Sequence, residues 1–130
     1  MQKLKCILLV DDNMADNRYH QIIIEEMNIA EKIVMVKDGA EALYYLNDNN
    51  NTLPEIIFLD INMPEMNGWE FLEEYRHLDP ATKSKIKIVI LSTSANPDDI
   101  TRAEETNDVA DFETKPLDKD AIENIVYKFF

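Results

Sequence analysis

Four short runs in the chain are wholly apolar: Ile7-Leu8-Leu9-Val10, Ile33-Val34-Met35-Val36, Ile56-Ile57-Phe58-Leu59 and Ile88-Val89-Ile90-Leu91. A strand with one wet face alternates polar and apolar residues. Runs this uniform predict strands covered on both faces, as in a parallel sheet. A fifth segment, Ala110 to Thr114, mixes Ala, Asp, Phe, Glu and Thr, as an edge strand with one solvated face does. Helical spacing fills the gaps. Ala15, Tyr19, Ile22, Ile23 and Met27 step along one helix face and predict a first helix with that face inward. Ala40, Leu43 and Tyr44 predict a second; Phe71, Leu72, Tyr75 and Leu78 a third. Ile100 and Ala103 weakly mark a fourth, and Ile122, Ile125, Val126 and Phe129 a fifth. Pro97-Asp98-Asp99 and Asp118 have the chemistry of helix starts.

Strand and helix thus alternate five times. Right-handed crossovers then give an α/β sandwich: a flavodoxin-like, doubly wound five-stranded parallel sheet in the order 2-1-3-4-5, with helices on both faces. Residues 1–130 are one domain's worth of chain. No internal repeat is evident. The tract Asn47-Asp48-Asn49-Asn50-Asn51 reads as a polar loop, and the only two glycines, Gly39 and Gly68, make no glycine-rich phosphate loop.

Composition narrows the partners. Twenty-six acidic against 13 basic residues give a formal charge of −13, which disfavours nucleic acid and anionic membrane surfaces as partners. Basic protein surfaces, or a metal held by clustered carboxylates, suit it better. No apolar run approaches the roughly 18 residues of a membrane span, and the N-terminus lacks the pattern of a signal peptide, so the expected location is cytoplasmic. The single Cys6 excludes an internal disulfide and reads as a buried thiol.

In an open α/β sheet, ligands bind beyond the carboxyl ends of the strands, where strand order reverses. Here that point lies between the first strand, ending in Asp11-Asp12, and the third, ending in Asp60. Three converging carboxylates repel unless something neutralises them. Mg2+ answers this: it takes a few carboxylate or carbonyl oxygens, keeps several waters and accepts phosphate oxygens. Helix capping by Asp11 or Asp12 is the plainer alternative. The fourth strand leads to the hydroxyls of Ser92, Thr93 and Ser94, and the fifth to Lys115 and Pro116. Metal, hydroxyl and ammonium around a carboxylate form a site able to stabilise a phosphoryl group on it.

These residues, in this order, resemble the receiver domains of bacterial two-component systems, particularly the stand-alone, chemotaxis-regulator-like ones. The resemblance runs from about Leu4 to Phe129. It is carried by Ile7-Leu8-Leu9-Val10-Asp11-Asp12-Asn13, Asp38-Gly39-Ala40-Glu41-Ala42-Leu43, Pro54 through Asp60-Ile61-Asn62-Met63-Pro64, Asn67-Gly68, Val89-Ile90-Leu91-Ser92 and Lys115-Pro116-Leu117. It implies a phosphorylatable switch that turns over no external metabolite. In that pattern Asp60 matches the phosphoacceptor, and Asp11 and Asp12 the acidic pair at the Mg2+ site (Mn2+ being the alternative ion). Asp12 and Asp60 then contact the metal directly and Asp11 through water, while Asn62 supplies its backbone carbonyl. Lys115 matches the lysine on the phosphoryl group, Pro116 a proline often held in cis, and Phe112 the aromatic switch.

The hydroxyl switch falls on Ser92, with Thr93 as the alternative. Counting back from Lys115 by the family's usual interval favours Thr93. The end of the fourth strand and the helix face of Ile100 and Ala103 favour Ser92, with an extra residue absorbed in the loop Thr106-Asn107-Asp108-Val109. The implied partners are a sensor histidine kinase or a histidine phosphotransfer protein, and a downstream protein target. The responding surface is the fourth helix, fifth strand and fifth helix, and no output domain is expected within residues 1–130.

Two other classes share parts of the pattern. A flavin-binding electron carrier would need Ser, Thr and Gly after the first strand, where this chain has Asp11-Asp12-Asn13. An aspartyl-phosphate phosphatase would need a second acid as general base, where Asp60 is followed by Asn62. His20 and His77 read as surface residues, Trp69 as core or rim, and the six methionines as core filler.

Overall fold

The computed structural model describes residues 3–63, 66–94 and 96–130. Pro64, one residue of the quoted motifs, lies outside them. The elements run β1 (Ile7–Val10), α1 (Met14–Met27), β2 (Ile33–Val36), α2 (Gly39–Asn47), β3 (Ile56–Asp60), α3 (Gly68–Tyr75), α4 (Pro80–Lys83), β4 (Lys87–Ser92), α5 (Pro97–Glu105), β5 (Val109–Thr114) and α6 (Lys119–Phe129). The sheet order is β2-β1-β3-β4-β5, and every pairing is parallel. This is the expected doubly wound fold. The predicted fourth and fifth helices are α5 and α6, because the single turn α4 precedes them. Periodicity missed that turn, which has no buried residue; Asp79 caps it and Pro80 begins it.

Two cores form because successive strand residues point to opposite faces. Leu8, Val10, Ile57, Leu59, Ile88 and Ile90 pack with Ala42, Phe71, Tyr75 and Ala103 from α2, α3 and α5. Ile7, Leu9, Ile56, Phe58, Val89 and Leu91 pack with Ile24, Ile122, Ile125 and Val126 from α1 and α6. β1, β3 and β4 are accordingly buried almost throughout. The apolar run of β2 also predicts full burial, but all four of its residues are only half-buried. Topology puts β2 at the sheet edge, and its sequence carries no trace of that.

The face of α1 needs correction. Its fully buried residues are Asn17, His20 and Ile24, and of the predicted face only Ile23 and Met27 pack, partly buried, against the same core. Ala15 faces solvent, as do Tyr19 and Ile22, with Met14 exposed beside them. Polar residues occupy the inward stripe where the helix crosses the site end of the sheet, so the apolar periodicity pointed elsewhere. Met14 likewise does not fill the core, whereas Met63 does. The extra residue assigned to the loop before β5 has a counterpart just inside that strand. There Ile88 faces Val109 and Val89 faces Asp111, a bulge that leaves Ala110 without a partner.

Candidate functional site

Parallel strands all end at one edge, and the site is built there. β1 runs into Asp11, whose N–H still donates to the Val36 carbonyl at 3.1 Å. Asp11 and Asp12 do not cap α1. Asn13 does, accepting from Asp16 N–H at 3.1 Å, and Asp11 Oδ1 braces that turn by accepting from Asn13 N–H at 2.9 Å. Asp60 is the last residue of β3. Its Oδ1 accepts from Asn62 N–H at 3.0 Å. Close behind is Gly68, at the first turn of α3: a Cβ there would meet Ile61 Cα at 2.7 Å and the Asp60 carbonyl at 3.0 Å. Only a glycine lets α3 start against the backbone that carries Asp60.

One oxygen from each of Asp11, Asp12 and Asp60 lies within 4.8 Å of the others. Asp11 and Asp60 are buried and Asp12 is exposed, so the cluster opens to solvent on the Asp12 side. Burial pushes the Asp60 carboxyl up to about 6; the charge of Asp11 adds to this, while Asn62 N–H and Lys115 oppose it. A hard divalent cation fits this set: all donors are oxygens, their charge is incompletely neutralised, and one side stays open for water.

Lys115 follows β5, and its N–H donates to the Ser92 carbonyl at 2.8 Å. The Lys115–Pro116 peptide is cis. The ammonium donates to Asp11 Oδ2 at 2.6 Å and to Asp16 Oδ2 at 3.0 Å, and stands 3.5 Å from Asp60 Oδ2. Burial alone would lower its pKa, but the bonds to Asp11 and Asp16 outweigh burial and raise it.

Ser92 ends β4 opposite Thr114 and is 1% exposed; its Oγ accepts from Ser94 N–H at 3.2 Å. Thr93 is exposed. Ile90 pairs with Phe112, so Ser92, two residues on, shares the sheet face of Phe112. Phe112 is half-buried against the α2–α3–α5 core and lines a hollow with Ile100 and Ala103 of α5.

Residues 7–127 match the response regulator receiver domain family. The chain belongs to that family. A receiver-domain relative, response regulator Rcp1 of Synechocystis, is 36% identical over 100 residues, covering 74% of this chain and 67% of Rcp1. A two-component response regulator from Cytophaga hutchinsonii superposes with TM-score 0.91 at 33% identity, covering 98% of this chain and 97% of that one. The phosphorylated cyanobacterial phytochrome response regulator RcpA is 37% identical with TM-score 0.76, covering 95% of this chain and 89% of its own. The Mn2+-bound form of Rcp1 gives TM-score 0.76 at 32% identity, over 95% of this chain and 90% of that one. This protein is therefore a receiver domain of two-component signalling. Receiver domains as a class accept phosphoryl groups, bind a divalent metal and meet histidine kinases or phosphotransfer proteins. None of the helices described is long and apolar enough to cross a membrane.

The receiver fold brings together Asp11, Asp12, Asp60, Asn62 and Lys115 from three separate stretches of sequence. Periodicity and motif reading missed three polar residues of α1 beside them. Asp16 shares Lys115. Asn17 is buried and donates to the Asp11 and Val36 carbonyls at 3.0 and 3.1 Å, tying β1 to β2. His20, read as a surface residue, is 2% exposed and accepts from Leu117 N–H at 3.2 Å. The available signal was their spacing: Asn17, His20 and Ile24 share a face at i, i+3 and i+7.

Proposed function

We propose that Asp60 is the phosphoacceptor of this receiver and that a partner's phosphohistidine is its donor. The supporting observation is the placement of Asp60: buried at the end of β3, within one acidic cluster with Asp11 and Asp12, and 3.5 Å from the Lys115 ammonium. An Asp60 oxygen attacks phosphorus, the bond from phosphorus to the donor imidazole breaks, and the leaving imidazole takes up a proton. Phosphoryl transfer of this kind depends on positioning and charge neutralisation. Asp12 and Asp60, with the Asn62 carbonyl, would hold the cation, Mg2+ or alternatively Mn2+, and Asp11 would support it from the same cluster. When bound, that ion supplies positive charge to the phosphoryl oxygens. Lys115 supplies the remaining positive charge.

Ser92 is the switch hydroxyl in this reading, because it is buried at the strand end on the face of Phe112 while Thr93 is exposed. The Ser92 hydroxyl turns from its local turn toward the phosphoryl group, and Phe112 moves inward beside α5. The surface of α5, β5 and α6 changes with it, a local charge event biasing a two-state element. The downstream partner reads that surface.

The test is to incubate the protein with Mg2+ and acetyl phosphate and locate the added phosphate by peptide mass. Label on Asp60, absent from Asp60→Asn, supports the assignment; equal labelling of the two proteins overturns it.

A further inference from the structure

Lys115 is held by α1 as well as by the acidic cluster. Asp16 Oδ2 accepts from its ammonium at 3.0 Å. One turn on, His20 Nε2 accepts from the Leu117 amide at 3.2 Å. Residues 16 and 20 are i and i+4, so they share one helix face. Together they grip both ends of the segment Lys115-Pro116-Leu117: the side chain of its first residue and the backbone of its last. His20 is buried, and burial, with the nearby Lys115 charge second, keeps its imidazole below the usual range. A neutral ring that accepts at Nε2 carries its proton on Nδ1.

We propose that Asp16 and His20 are positioning residues for Lys115: Asp16 restrains the ammonium from the acceptor carboxylate, and His20 fixes the backbone that carries it. The proposal rests on the reading of Asp60 as phosphoacceptor. An ammonium has three N–H donors. Two of them go to Asp11 at 2.6 Å and Asp16 at 3.0 Å. Asp60, at 3.5 Å, is beyond a good hydrogen-bond distance. A phosphoryl group on Asp60 adds oxygens that need those donors.

Of the two carboxylates already engaged, Asp16 is the one that can yield. Its side chain is 38% exposed against 3% for Asp11, so water replaces the ammonium at Asp16 far more cheaply. Asp16 also sets a negative charge 3.0 Å from the Lys115 ammonium, which itself stands 3.5 Å from Asp60, and so offsets the positive charge offered to an anionic phosphodonor. Both effects slow phosphorylation, and Asp16→Asn removes the charge while keeping the shape. Asp16 thus acts as a restraint on the rate, set by a residue outside the acidic cluster.

The experiment compares wild type, Asp16→Asn and Asp16→Glu with Mg2+ and acetyl phosphate, following labelling by intact mass. Removing one nearby, partly screened charge predicts labelling of Asp16→Asn about three- to tenfold faster, with Asp16→Glu returning to within about twofold of wild type. In parallel, the Lys115 ammonium is observed by NMR with 15Nζ-lysine, without phosphodonor. Its resonance should shift in Asp16→Asn and return in Asp16→Glu. The wild-type His20 ring should show a neutral imidazole protonated on Nδ1. Wild-type labelling rates in Asp16→Asn, an unmoved Lys115 resonance, or a His20 proton on Nε2 would each overturn the proposal. If the wild-type protein takes no label at all, the phosphoacceptor reading fails instead, and the Lys115 and His20 resonances alone decide the positioning.

Discussion

The Lys115 ammonium is bonded to Asp11 at 2.6 Å, closer than its 3.5 Å approach to Asp60. Both side chains of the short pair are almost fully buried. A buried pair offers little net stability, yet breaking it is strongly unfavourable, because the abandoned charge remains inside. Here Lys115 also offsets the repulsion between Asp11 and Asp60. Lys115→Met is expected to lower metal-free stability at neutral pH by up to about 3 kcal/mol, limited because the two carboxyls can share one proton. Mg2+ should restore much of the loss. Thermal unfolding with and without Mg2+ checks this, and a Lys115→Met protein as stable as wild type in EDTA would contradict it.

The Asp60 carboxyl sits at about 6 in the fold, from an ordinary 3.8. A raised carboxyl value means that the folded state binds the proton more tightly than the unfolded chain. The stability linked to it is full below about pH 3.8 and lost as pH rises through about 6, so the ionised Asp60 destabilises the metal-free protein at pH 7.5. Asp60→Asn should therefore be more stable than wild type in EDTA at pH 7.5, by about 1–3 kcal/mol. That advantage should shrink as pH falls from about 6 toward 4. Denaturant melts at a series of pH values measure it; an advantage that grows with acidification has the wrong sign.

Asp12 is the exposed member of the acidic triad and does not cap α1, and the proposed function makes it a metal ligand. Asp12→Ala is expected to weaken Mg2+ binding about tenfold or more and to leave metal-free stability within about 0.5 kcal/mol, as for an exposed substitution. Calorimetric titration with Mg2+ gives the first quantity and chemical denaturation the second. Unchanged Mg2+ affinity would remove Asp12 from the site.

Ser92 and Thr93 are adjacent but differ in surroundings, one buried beside the Phe112 face and the other in solvent. Ser92→Ala should accept phosphate yet fail to shift the Phe112 ring and α5 resonances on labelling, whereas Thr93→Ala should shift them as wild type does. The reverse pattern would move the switch to Thr93.

The sequence by itself determined the layered fold and the ends of its strands. Continuous apolar runs suit strands buried on both faces, and their alternation with helices selects a covered parallel sheet with one usual strand order. Asp11, Asp12, Asp60 and Lys115 stand where those runs stop, so their meeting at one edge follows from the topology. The tertiary structure alone decided which side of α1 turns inward and what Lys115 holds. Hydrophobic periodicity registers apolar burial, and Asn17 and His20 are polar residues whose burial depends on partners far along the chain, such as Leu117 N–H. Asp16 meets Lys115 across 99 residues, a contact that exists only once β1 and β5 end at the same edge. The half-exposure of β2 has the same origin: a strand becomes an edge through the order of the sheet, and its own residues do not record that order.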